Sequence, residues 1–175
     1  MFSNMTDLDA FWATRVMLSF TREDLASIIE TAEYTAPTTN NYMVETLLDR
    51  RQMVAAYWLG KVDALSKFEI EKTGAGVALN FRDLLVDQGL VLAESTKYTY
   101  QVRGPRYKSQ KQTVLRPEIR IDREMLSAAI EQGTDTPIEI SIWPHRRVSN
   151  PDPVKIYFDW SPSRDQFTVR RISRG

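Results

Sequence analysis

Val154-Lys-Ile-Tyr-Phe-Asp-Trp160 and Gln166-Phe-Thr-Val-Arg-Arg-Ile172 close the chain, joined by Ser161-Pro-Ser-Arg-Asp165. In the first run Ile156 and Phe158 fall on one side of an alternating pattern. In the second, Phe167, Val169 and Ile172 do so with one slip. Alternation with period two marks a half-buried strand, and serine, proline and aspartate between two such runs make a turn. The pair predicts an antiparallel hairpin.

The same signals recur upstream. Pro137 to Trp143 is a third strand, set off by Ser149-Asn-Pro-Asp-Pro153. Lys97 to Val102 is another, with Tyr98, Tyr100 and Val102 on one side. Thr113 to Ile121 reads as one strand, and Pro117 places it at an edge because proline cannot donate to a ladder. Asp122 caps a helix over 123–132 that turns Met125, Leu126, Ala129 and Ile130 inward and ends before Gly133. Further upstream, Phe68-Glu-Ile-Glu71 alternates, Thr73-Gly-Ala-Gly76 turns, and Val77 to Phe81 returns. Arg82 to Leu90 is a short helix ended by Gly89. Strands spaced by about ten residues predict an antiparallel sheet or a sandwich.

The first sixty residues carry a period near 3.6. In Asp7 to Phe20 the apolar positions are Leu8, Phe11, Trp12, Val16 and Phe20. Thr21 and Asp24 form a near capping box for a second helix whose stripe is Leu25, Ile28, Ile29 and Ala32. Pro37 ends it. A third helix starts at Thr38 or Thr39 and is expected to run to about Leu65, with Met43, Leu47, Val54, Trp58, Val62 and Leu65 inward. The chain is therefore expected to be α+β. A three-helix segment (1–66) precedes a mainly antiparallel sheet or sandwich with one or two short helices (67–175), the two packed as one compact unit.

Composition excludes several chemistries. The chain has 175 residues, no cysteine and one histidine, so disulfides, thiol nucleophiles, thiolate metal sites and His-rich metal sites are out. No apolar run approaches the roughly 20 residues of a membrane span, and the N-terminus lacks a signal-peptide pattern. As written, the chain is expected in the cytoplasm, or exported if it is a fragment of a larger precursor. Net charge is zero but uneven. Residues 1–95 hold 8 Lys+Arg and 14 Asp+Glu, and residues 96–175 hold 15 and 9. A basic half points to an anionic partner or to mutual attraction of the halves.

Few residues stand out as functional. His145, beside Arg146 and Arg147, is the candidate general base, and an exposed loop histidine is the plainer reading. Arg50 and Arg51 form a candidate anion clamp, or ordinary surface pairs with Glu45 and Asp49. Trp143 and Trp160, on late strands, are candidates for the floor of a sugar- or peptide-binding face. Between Lys97 and Arg123 lie eight basic residues and only two acids. Arg103, Arg106, Lys108 and Lys111 are the candidate nucleic-acid contacts there, with Tyr98, Tyr100 and Tyr107 interleaved. The alternative is a flexible, solvated hairpin loop. Thr73-Gly-Ala-Gly76 is a turn and not a phosphate loop, since no Lys-Ser/Thr pair and no helix follow. No motif calls for a metal or cofactor.

Two stretches resemble a known group. Asn4-Met-Thr-Asp-Leu-Asp-Ala-Phe-Trp-Ala-Thr-Arg-Val-Met-Leu-Ser-Phe-Thr-Arg-Glu-Asp-Leu25, and Tyr42 to Trp58 with Leu-Leu-Asp-Arg-Arg-Gln-Met-Val-Ala-Ala-Tyr-Trp, resemble the C-terminal region of large uncharacterised bacterial proteins. In those, a signal-bearing N-terminus and a kinase-like core precede this region. The resemblance covers mainly residues 4–68 and brings no assigned activity. It implies an accessory part without the catalytic part, and export.

The sequence thus points to a non-catalytic accessory or binding domain, acting on a protein or small ligand, with oligomeric state open. The alternatives are a small hydrolase-like enzyme using distant carboxylates and His145, and nucleic-acid binding through 97–123.

Overall fold

The computed structural model describes residues 5–130, 137–146, 152–161 and 166–174. The fold is α+β, and the chain divides into two units, Met1–Val62 and Asp63–Gly175. The first holds helices α1 (Asp7–Ser19), α2 (Arg22–Glu30) and α3 (Pro37–Leu59). Thr21 caps α2 as the sequence predicts, and the capping box is complete. The Thr21 amide donates to Asp24 Oδ2 at 2.8 Å, and the Asp24 amide donates to Thr21 Oγ1 at 3.1 Å. Thr6 and Asp9 repeat the device at α1. These bonds favour the ionised acids. The Thr21 amide and hydroxyl hold Asp24 below its ordinary value, and the Thr6 hydroxyl and amide do the same for Asp9. Pro37 opens α3, where its missing N–H costs nothing.

α1 and α2 each pack on α3. The buried faces differ from the predicted stripes. Ala10, Phe11 and Thr14 are buried on α1, while Leu8, Trp12, Val16 and Phe20 are exposed. Ile29 alone is buried on α2, and Val44, Ala55 and Leu59 on α3. Ala10, Thr14 and Ala55 are thus buried together with Phe11, Val44 and Leu59, while Leu8, Trp12 and Val16 turn outward. α3 also stops earlier than expected. It ends at Leu59 with Gly60 as its cap, and Leu65 already belongs to a strand.

The second unit holds two antiparallel sheets. β1 (Leu65–Thr73), β2 (Gly76–Asp83) and β5 (Glu118–Asp122) form one in the order β1-β2-β5. β3 (Lys97–Arg103), β4 (Gln112–Val114), β6 (Ile138–His145), β7 (Val154–Ser161) and β8 (Gln166–Ser173) form the other in the order β4-β3-β6-β7-β8. The final hairpin is present, with a bulge opposite Tyr157 and Phe158 that accounts for the slip in alternation. Thr113 to Ile121 is not one strand. The chain leaves the five-stranded sheet after Val114 and enters the three-stranded sheet at Glu118, so Pro117 sits at the crossing.

Both sheets line one core. Val77, Leu79, Ile119 and Ile121 from the first meet Tyr100, Val102, Ile140, Ile142, Ile156 and Phe158 from the second. This is a sandwich, with α4 (Leu84–Asp87) and α5 (Arg123–Ala129) as its short helices. Asp122 caps α5 by accepting from the Met125 amide at 2.7 Å. α5 ends at Ala129 with Ile130 extended as its cap, short of the predicted 123–132, and residues 131–133 lie outside the described residues, as do most of the two late turns. Two glycines are required by close approach. A Cβ at Gly76, whose φ is +153°, would lie 2.1 Å from the Ile121 carbonyl oxygen. One at Gly104 would lie 2.0 Å from that of Ala129.

Candidate ligand-binding face

Register sorts the five-stranded sheet into two faces, because successive side chains alternate. Even positions on β3, β6 and β7 enter the core. Odd positions form the outer face in rows. One row is Thr99–Trp143, the next Gln101–Ser141–Lys155–Ser173, and the third Arg103–Glu139–Tyr157–Arg171. Their order mixes cations, rings and small polar groups.

The loop from Gly104 to Lys111 folds back over this face. It is tied down at several points, unlike the solvated loop its composition suggests. The Ser109 amide donates to the Val102 carbonyl at 2.9 Å, and the Val102 amide donates to Ser109 Oγ at 3.0 Å. Gln101 Nε2 donates to the Ser109 carbonyl at 2.7 Å. Arg103 bridges Lys108, and the Gly104 amide donates to the Tyr107 carbonyl at 2.9 Å. With Ser109 and Gln101 both buried, Lys108 and Lys111 are carried at fixed positions beside the sheet.

Two hollows result. One, of about 270 Å³, is lined by Arg103, Lys108, Lys111, Glu139, Trp143 and Lys155 among others. The other, of about 380 Å³, is lined by Pro137, Tyr157, Arg170 and Arg171. The row joining Glu139 to Tyr157 makes them neighbours. Among the described residues they are lined by six cations and one carboxylate, Glu139, which accepts from Ser141 Oγ at 2.9 Å. Each ring lies under a cation. Lys111 Nζ is 4.1 Å from the Trp143 ring centre, and the Arg171 guanidinium carbon is 4.4 Å from that of Tyr157. Asp159 pairs with Arg170 at 3.6 Å.

The structure therefore gathers Trp143, Arg103, Lys108 and Lys111 into one place. Arg106 lies at the exposed loop tip and lines neither hollow. Trp160 does not join Trp143. It is even-numbered on β7 and turns to the opposite face, stacked on Phe167 with ring centres 4.4 Å apart. There it lines a separate hollow of about 250 Å³ with Lys72 and Arg123. Arg50 is exposed on α3, and Arg51 donates to the Phe20 carbonyl, so the two do not converge. Glu45 pairs with Arg22 of α2 and not with an arginine of its own helix.

His145 ends β6, exposed, opposite Lys97, and lines none of the described hollows. The neighbouring Arg146 takes the carboxylate on that side of the fold. Its side chain pairs with Asp83 at 3.0 Å, both almost wholly buried. Asp83 also accepts from Tyr98 Oη at 3.0 Å and from the Leu85 amide at 3.1 Å. Burial, reinforced by the Asp83 charge, pushes the Tyr98 hydroxyl well above its ordinary value. This network lines none of the described hollows and lies in the buried interior.

Sequence reasoning missed Lys155, Tyr157 and Arg171. They lie more than thirty residues beyond the basic segment at 97–123. The signal that finds them is the alternation of β7 itself, which sends Lys155 and Tyr157 out as surely as it sends Ile156 in.

Among the described residues no group of three or more His, Asp or Glu could hold a metal ion. No helix there is long and apolar enough to cross a membrane. No protein-family model, curated protein or solved structure matches the chain.

Proposed function

We propose that this chain is a non-catalytic binding domain that holds an anionic ligand on the outer face of its five-stranded sheet. The carrying observation is that, among the described residues, six cations line two adjoining hollows with Glu139, and only Arg170 of them is paired with a further carboxylate, Asp159. Cations brought together by three strands and a tied-down loop create a local field that a scattered surface does not. The ligand is elongated, because the two hollows lie along the sheet and share a row of residues. The exposed position of His145, outside the hollows, favours this reading over a hydrolase.

Heparin chromatography tests it. The wild-type chain is retained at low salt and released as salt rises, since binding by phosphate- or sulfate-like charges is screened. Lys111→Glu elutes earlier. Arg50→Glu, on the helical unit, elutes with wild type. Flow-through of the wild-type chain at low salt, or equal loss from both variants, rejects the face.

A further inference from the structure

We infer that the anionic ligand is single-stranded nucleic acid, with bases laid on Trp143 and on the Arg171–Tyr157 pair and phosphates held by Lys108, Lys111, Arg103 and Lys155. The inference rests on the anion-binding reading above and narrows it.

Charge alone does not choose among polyanions, but the rings do. Trp143 and Tyr157 both stand on the outer face, half-buried, among the cations. A sulfated glycan uses the lysines and arginines but offers an indole only the C–H face of a sugar, and an acidic peptide does not carry a flat ring beside each charge. A duplex presents phosphates to a flat sheet and keeps its base faces stacked inside. A single strand offers both, alternating phosphate with an open base face, and this surface alternates cation with ring.

The spacing suits a few nucleotides. Trp143 lies four residues along β6 from Glu139, which faces Tyr157, so the rings are about 14 Å apart along the strand direction. Single-strand modules take roughly 4–16 nucleotides.

The cations over the rings have a role in exchange. Lys111 covers Trp143 in the free protein. A phosphate draws the ammonium aside, and the ring it uncovers is then open to the adjoining base. Arg171 stays over Tyr157, because a planar guanidinium presents its own second face to a base. The polar groups between the rings are committed inside the protein. Gln101 bonds the Ser109 carbonyl and Ser141 bonds Glu139. Two of the four side chains of the middle row thus already spend a polar atom within the protein, which favours binding that tolerates sequence.

The test is anisotropy of a fluorescein-labelled oligothymidylate of about ten nucleotides on the full chain, with four competitors. These are unlabelled oligothymidylate, a mixed-sequence single strand, the matching duplex and heparin, with polyglutamate as a peptide control. The two single strands are expected to displace the probe alike and ahead of the duplex and polyglutamate. Trp143→Ala should weaken binding about tenfold, the scale of one lost stacked base. Trp143→Phe should keep most of the affinity but lose most of the tryptophan quenching that the oligonucleotide causes. That readout holds even if Trp143→Ala fails to fold. Lys111→Ala should lower the slope of log K against log salt by about one. If duplex or polyglutamate competes equally at matched charge, or Trp143→Phe quenches like wild type, single-strand stacking is wrong while the anion-binding face stands. If heparin is also not bound, both fall.

Discussion

On α1, Leu8, Trp12 and Val16 face solvent while Ala10 and Thr14 are buried. On β3, Tyr98, Tyr100 and Val102 are buried while Thr99 and Arg103 turn outward. Both elements are apolar on paper, and they differ in how much freedom the pattern leaves. A strand has two faces, and its alternation assigns every side chain to one of them. A helix with apolar residues around its circumference offers several faces, and packing selects among them. The outer face of the five-stranded sheet follows from the stricter rule. That is why its cations and rings are placed by the same alternation that builds the core beneath.

The comparison can be broken at its strongest point first. Asp83→Asn takes the carboxylate charge from beside the buried Arg146 and leaves one acceptor oxygen where two now serve Arg146, Tyr98 and the Leu85 amide. Loss of one member of a buried pair costs about 3–5 kcal/mol, read by urea unfolding of the second unit. Ile140→Ala, at a fully buried position on the inner face, should cost about 2–5 kcal/mol by the same measurement.

A smaller effect appears with pH. Burial raises Tyr98 and Tyr100, each reinforced by a nearby carboxylate, Asp83 and Asp122 respectively. Above a pH of about 10 the unfolded chain releases tyrosine protons that the native chain keeps. The unfolded state then binds fewer protons, so stability is full below that pH and falls as pH rises. Tyr98→Phe should flatten the fall. The smallest effect belongs to the helical unit. Trp12→Ser, at a position 67% exposed, should change stability by about 0.5 kcal/mol or less. A loss of several kcal/mol there would mean that the exposed stripe of α1 is covered after all.

Legibility in the sequence followed the same division. The hairpin of β7 and β8, the capping box at Thr21 and the Asp122 cap were readable because each rests on residues near in sequence. The end of α3 was not. Val62 and Leu65 continue its apolar period, but Leu65 is taken by the three-stranded sheet. Nor was the crossing at Leu115–Pro117, since β4 and β5 together still alternate as one strand would. The site was half legible. Arg103, Lys108, Lys111 and Trp143 stood out by type. Their meeting required the register of Arg103 with Glu139 and Glu139 with Tyr157, a pairing across strands far apart in sequence.

The central claim is that ligand contacts lie on the outer face of the five-stranded sheet. Amide NMR of the labelled chain, titrated with a short heparin oligosaccharide, tests it most directly. Shifts are expected at Arg103, Lys108, Lys111, Trp143, Lys155 and Tyr157, with α1 to α3 unchanged. Shifts confined to the helical unit, or none at saturating oligosaccharide and low salt, would contradict the account.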